Sequence, residues 1–189
     1  MTSDASQTWR DGIVAAIPNL RAFAISLCGN HAMADDLVQE TLLKAWSNSD
    51  KFQEGTNLKA WLFTILRNAY FSHLRGRRRE VADSDGLIAA QVAVPAEQPG
   101  HLDMADFRGA LAKLSDDQRE AVLLVGAEGF SYEEVAAISG CAVGTVKSRV
   151  NRARARLAEL MNITSAGDIG GQRMGGGNHA PARSSSART

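Results

Sequence analysis

The sequence predicts an all-α protein of two small helical modules joined by a flexible acidic linker. Three observations carry this prediction. Apolar side chains recur at helical spacing over residues 9–79 and again over 107–161. Two Ser-x-x-Gln/Glu signatures, Ser115/Gln118 and Ser131/Glu134, open helices in the second stretch. Between the stretches, residues 80–106 hold six acids, no Lys or Arg, and two prolines. No run with the two-residue period of a strand competes, and the short run 89–94 that is compatible with extended chain sits in the linker.

Bulk numbers narrow the classes. The 189 residues are 44% hydrophobic and 22% charged, a globular composition. With 21 Lys+Arg against 21 Asp+Glu, no global basic character marks a nucleic-acid partner, so any such signal has to be local. Cys28 and Cys141 form no C-x-x-C pair, which argues against a disulfide framework or a zinc site and fits a reducing cytoplasm. His31, His73, His101 and His179 have no metal-ligand spacing. No paired carboxylate, nucleophile–base set or phosphate loop suggests an enzyme, and no cofactor is expected. The N-terminus lacks the basic and apolar regions of a signal peptide, and the apolar run 13–17 is too short to span a bilayer.

In chain order, residues 1–8 read as a flexible N-terminus and 9–79 as the first module. Pro18 suits the first turn of a new helix, and Gly29-Asn30 and the polar stretch 47–56 are further breaks. A helix over 32–46 turns Ala34, Leu37, Val38, Thr41 and Ala45 inward. It leaves Asp36, Gln39, Glu40 and Leu43 outward, an exposed leucine among polar groups that suits docking as well as a merely solvated face. A helix over 57–77 sets Leu58, Trp61, Leu62, Ile65, Leu66 and Ala69 on one side and Phe63, Arg67, Tyr70 and Phe71 on the other. Exposed rings interleaved with arginine suit unpaired bases, which stack on rings while phosphates meet cations; packing against a neighbouring helix is the alternative. Arg75, Arg77, Arg78 and Arg79 extend the positive surface. After the linker (80–106) comes the second module (107–161), and residues 162–189, rich in Gly, Ser, Ala and Arg, are expected to be a disordered tail.

The sharpest local signal is SYEEVAAISGCAVGTVKSRVNRARARL. Ala136, Gly140 and Val146 fall where a helix-turn-helix needs a small residue, a left-handed turn and an apolar plug. On a helix starting near Gly144, Val146, Val150, Ala153 and Leu157 share the core face. Lys147, Ser148, Asn151 and Arg152, with Thr145 beside them, are then free for base edges in a major groove, and Arg149, Arg154 and Arg156 for phosphates. Five basic residues and no acid over positions 147–156 supply the local asymmetry that the net charge conceals.

Taken in order, DDLVQETLLKAW, FQEGTNLKAWLFTILRNAYFSHLRGRRR, the acidic linker and LSDDQREAVLLVGAEGFSYEEVAAISGCAVGTVKSRVNRARARL resemble the extracytoplasmic-function (ECF) sigma factors of the sigma-70 family, over about residues 9–161. The details are similar to the EcfG-type general stress response sigma factors of alphaproteobacteria. The resemblance implies a sigma-2 module for core polymerase binding and minus-10 melting, and a sigma-4 module for minus-35 recognition. It implies that Asp36, Gln39, Glu40 and Leu43 dock on the coiled coil of the largest catalytic subunit, with the flap of the other large subunit as a second contact. Phe52, Asn57, Phe63, Arg67, Tyr70, Phe71 and Arg75 would engage the minus-10 element. Thr145, Lys147, Ser148, Arg149, Asn151, Arg152 and Arg154 would engage the minus-35 element. The linker would thread the polymerase channels, and a small anti-sigma protein would hold the factor in check. Two rivals stay open at the sequence: a sigma-like decoy that sequesters an anti-sigma factor without touching DNA, and a stand-alone helix-turn-helix repressor.

Overall fold

The structure, a computed structural model, describes residues 3–53, 55–83 and 104–161. Seven α-helices and one 3-10 turn occur among them, with no strand. The first half holds α1 (Ser3–Cys28), α2 (His31–Ser47), the 3-10 turn Ser49–Lys51 and α3 (Leu58–Asp83); the second holds α4 (Met104–Ala112), α5 (Asp116–Gly126), α6 (Tyr132–Ser139) and α7 (Val143–Leu160). Most of the linker and the whole tail lie outside the described residues.

Helix α1 runs unbroken through Pro18, where the sequence suggested a new start. Proline removes the bond to the carbonyl four residues back. Here Pro18 and Val14 both lie on the exposed side, so water can take up the Val14 carbonyl. The break comes instead at Gly29, whose φ of 66° closes α1, and Asn30, whose Oδ1 accepts the Met33 N–H at 3.0 Å and opens α2. The span Gln7–Cys28 has the length and composition of a membrane-crossing helix. Its apolar stripe, Trp9, Ile13, Leu20, Phe23, Ala24 and Leu27, is nevertheless buried against α2 and α3.

In α2 the inward set Ala34, Leu37, Val38, Thr41 and Ala45 is buried. Asn57 caps α3, its Oδ1 accepting the Ala60 N–H at 3.1 Å. Both capping signatures of the second half form at their serines: Ser115 Oγ accepts from Gln118 N–H, and Ser131/Glu134 make the full reciprocal box. Helices α5, α6 and α7 pack together around Leu124, Val135, Val146, Val150 and Leu157.

The halves also pack on each other, α3 against α6 and α1 against α4 and α5. Their buried apolar side chains form one continuous cluster. Phe63 lies at the seam, 5.0 Å from Phe23 of its own half and 5.2 Å from Phe130 of the other.

Candidate nucleic-acid and protein interfaces

Helices α6 and α7 and the turn between them have the helix-turn-helix geometry. Gly140 adopts φ 63°, ψ 39° at the end of α6, a conformation that costs any residue with a Cβ about 1–2 kcal/mol. Ala136 and Val146 are buried on either side of it. Because Val146, Val150, Ala153 and Leu157 point into the core, α7 leaves Thr145, Lys147, Asn151 and Arg152 exposed around its outward side. Ser148 is half-buried and its hydroxyl donates to the Thr145 carbonyl at 2.9 Å, an internal bond it has to give up to reach outward.

Two arginines depart from their expected place on this helix. Arg149 turns back into its own half, where Nη2 donates to Asp117 Oδ2 at 2.7 Å and Nη1 lies 3.7 Å from Cys141 Sγ. Its position on the flank of α7 aims it at α5, so it braces the helix and is not a free phosphate contact. Arg154 lines an apolar cavity of about 170 Å³ with Phe107, Leu123 and Leu157, its Nε buried without a partner. Arg156 is paired to Glu159 at 2.8 Å.

On α2, Asp36 and Gln39 are exposed and Leu43 is 69% exposed. Glu40 is held between Lys44 at 2.6 Å and His73 at 2.9 Å, and those two partners lower its pKa. The sequence reading missed Trp46, one turn beyond Leu43 and 57% exposed. Trp9 meets its ring edge-on at 5.5 Å and Arg10 lies over it at 5.6 Å. The i, i+3 spacing from Leu43 was the available signal.

The expected minus-10 residues separate into two groups. Phe52 packs against Trp61 at 5.4 Å beside an open groove of about 250 Å³ lined by Lys44, Asn48, Lys51, Trp61, Ile65 and Asn68. Sequence reasoning did not assemble this groove, because its lining comes from both sides of the 47–57 connection. Arg75 is exposed and donates to Ser72 Oγ. The second group is covered by the other half. Phe63 and Tyr70 are buried, the packed alternative of the two that the sequence left open. Tyr70 sits between the Leu27 carbonyl at 3.2 Å and Asp116 Oδ1 at 3.3 Å, and burial foremost raises its pKa. Arg67, with Phe71 stacked under its guanidinium at 4.7 Å, donates to Glu120 Oε1 at 2.7 Å. Asn57 donates to Glu134 Oε1 at 2.8 Å. The physical reason is common to all: rings and cations that suit bases and phosphates equally suit the ring and carboxylates that α5, α6 and the intervening turn bring here.

Glu120 has the most unusual environment in the described chain. Its side chain is 1% exposed, Oε1 accepts from Arg67 and from Ser139 Oγ at 2.9 Å, and Oε2 has no partner. Burial raises its pKa more than Arg67 and Ser139 lower it. Arg119 beside it is satisfied by carbonyls, including Leu27 O across the seam at 2.7 Å.

Comparison with known proteins converges on one family. Residues 13–80 match the family model described as Sigma-70 region 2, and residues 104–157 match Sigma-70, region 4. The chain is 62% identical over 161 residues to the ECF RNA polymerase sigma factor EcfG of Rhodopseudomonas palustris, covering 85% of this chain and 89% of that protein. Among solved structures it resembles the sigma factor RpoE from Bartonella quintana, co-crystallised with the anti-sigma factor NepR. That match has 56% identity and a TM-score of 0.76, and it covers 84% of this chain and 99% of the other. It also resembles CnrH in complex with the cytosolic domain of CnrY, at 27% identity and a TM-score of 0.61, covering 85% and 91%.

Proposed function

Because the chain belongs to the ECF RNA polymerase sigma factors, we propose a division of labour among its faces in the promoter-specific initiation that the family carries out. Helix α7 reads the minus-35 duplex. The observation that carries this reading is the exposure of Lys147, Asn151 and Arg152 around the outward side of a helix whose other face is fixed in the core. Arg and Lys match the acceptors of guanine and Asn matches adenine. The outward face of α2, with Asp36, Gln39, Glu40, Leu43 and, added by its exposure, Trp46, docks on the coiled coil of the largest polymerase subunit.

The groove beside Phe52 and Trp61 takes an unstacked base of the minus-10 non-template strand. Trp61 supplies a stacking wall, with Phe52 packed against it, Asn48 and Asn68 supply donors and acceptors, and Lys44 and Lys51 attract the backbone. Flipping a base costs a few kcal/mol, which such contacts offset. Arg67, Tyr70 and Phe71 join this face when the second half moves off it. RNA synthesis itself belongs to the polymerase.

The likeness to EcfG supports a role in the general stress response in the cytoplasm. The likeness to a sigma factor crystallised with an anti-sigma protein supports control by a small anti-sigma partner. Run-off transcription with core polymerase on a promoter library tests the reading: the chain should confer a start-site preference that core enzyme alone lacks. A decoy would confer none, and a stand-alone repressor would bind promoter duplex tightly with no polymerase present.

A further inference from the structure

Arg154 takes no part in the outward face of α7, and what surrounds it is apolar. Its cavity of about 170 Å³ is walled by Phe107 and Leu111 of α4, Val122 and Leu123 of α5 and Leu157 of α7. None of the described residues that line it is acidic. The guanidinium Nε is nevertheless buried there without a hydrogen-bond partner. A buried charged donor left unpaired is destabilising, and an anion that reaches it recovers that loss. Arg154 as a whole is half-buried, so such an anion need not surrender all of its hydration.

The size of the space defines the rest of the ligand. An apolar cavity of about 150 Å³ stays dry and admits benzene, so a space of about 170 Å³ takes an apolar body of about six carbons. Gly126 keeps that space open. It ends α5 and lines the cavity, and a Cβ built on it would meet no atom within 4 Å. In helical conformation almost any larger residue is more stable than glycine. A mere packing defect would show neither feature, since core bulk alone asks for a larger residue at 126 and an uncharged one at 154.

We propose that this cavity is a binding site for a small amphiphilic carboxylate, an aryl or short-chain alkyl monocarboxylate. Its apolar body lies against Phe107, Leu123 and Leu157, and its carboxylate accepts the Arg154 Nε–H. The site uses none of the side chains proposed above to meet polymerase or promoter. A ligand held there ties α4 to α5 and to α7, the helix that presents Lys147, Asn151 and Arg152, and stabilises the second half by mass action.

The test uses the full chain and two probes, benzoate and hexanoate, titrated by calorimetry and by amide chemical shifts. Both should bind saturably, with shifts concentrated on the amides of Phe107, Gly126 and Ala127, which line the cavity. Benzyl alcohol, of similar size without the charge, should bind about tenfold more weakly than benzoate. Acetate, which keeps the charge without the apolar body, should not saturate over the same concentrations. Arg154→Met retains an apolar stem and removes the guanidinium. It should weaken benzoate binding by about tenfold and leave binding of the alcohol unchanged. Gly126→Leu fills the space with Arg154 in place and should abolish binding of benzoate, hexanoate and alcohol alike. If that variant misfolds by circular dichroism, Arg154→Met carries the test alone. Lack of saturable carboxylate binding by the wild type, or equal benzoate affinity in the wild type and folded Arg154→Met, would overturn the assignment.

Discussion

At the scale of single residues, Glu120 and Gly140 show what a sequence does and does not disclose. Gly140 was legible because its need is local: a helix ends, the chain turns left-handed, and only glycine does so without strain. Glu120 was not legible. It lies in a helix with acids before it, and nothing in its neighbourhood says that it will be buried against an arginine 53 residues away. Its chemistry leads to a prediction with a definite sign. The folded chain holds the Glu120 proton more tightly than the unfolded chain, whose value lies near 4.5. Its contribution to stability is therefore greatest at acid pH and is lost as pH rises through the raised folded value. Asp35, Glu40 and Glu134 carry lowered values because Arg21, Lys44 and the Ser131 N–H respectively hold their carboxylates. Their contributions are present above the ordinary carboxylate range and are lost as pH falls through the folded values. The two windows are separate. Glu120→Gln should flatten the fall in stability that sets in as pH rises above the ordinary carboxylate range and leave the acid-side loss in place. Urea unfolding midpoints of both proteins across that range provide the measurement, and parallel profiles would contradict the assignment.

At the scale of elements, α7 was the most legible part of the chain and still misled at its flanks. Helical periodicity assigned Val146, Val150, Ala153 and Leu157 to the core, and they are buried there. Periodicity also gave Arg149 a partly outward direction, but a flank position meets whatever the next helix offers, and α5 offers Asp117. Arg149 and Arg152 should therefore respond differently to truncation. Arg149→Ala should lower unfolding stability by about 0.5–1 kcal/mol, the range for a pair that water partly screens. Arg152→Ala should leave stability nearly unchanged and weaken upstream promoter contacts by about 1–3 kcal/mol. Denaturant unfolding beside footprinting of the polymerase complex separates the two effects. Equal losses of promoter contact from both variants would return Arg149 to the DNA-facing set. The outward face of α2 was readable on the same grounds, since its five inward residues follow one stripe; Trp46 escaped because tryptophan at the end of an amphipathic helix is ordinarily read as core.

At the scale of the whole molecule, the two modules could be counted from the sequence but their contact could not. Helix starts, turns and inward faces depend on residues three to five positions apart, whereas the seam joins Asn57 to Glu134 and Lys59 to Glu128, pairs separated by 77 and 69 residues. An amphipathic pattern identifies a face that wants covering without naming the cover. The same rings and cations that mark a strand-binding surface also mark a protein interface, so the sequence alone does not decide between the two for Phe63 and Tyr70, which are buried. Phe130 is one point of the seam at which the halves share apolar packing, since it belongs to the buried cluster and touches Phe63. Phe130→Ala should cost about 3–5 kcal/mol, and the loss should not stop at the second half. Hydrogen exchange should show faster opening of backbone amides around Phe63 and Leu66 in α3 as well as around Leu124 in α5. Loss of protection confined to α5–α7, with α3 unchanged, would mean that the halves share a surface without sharing stability.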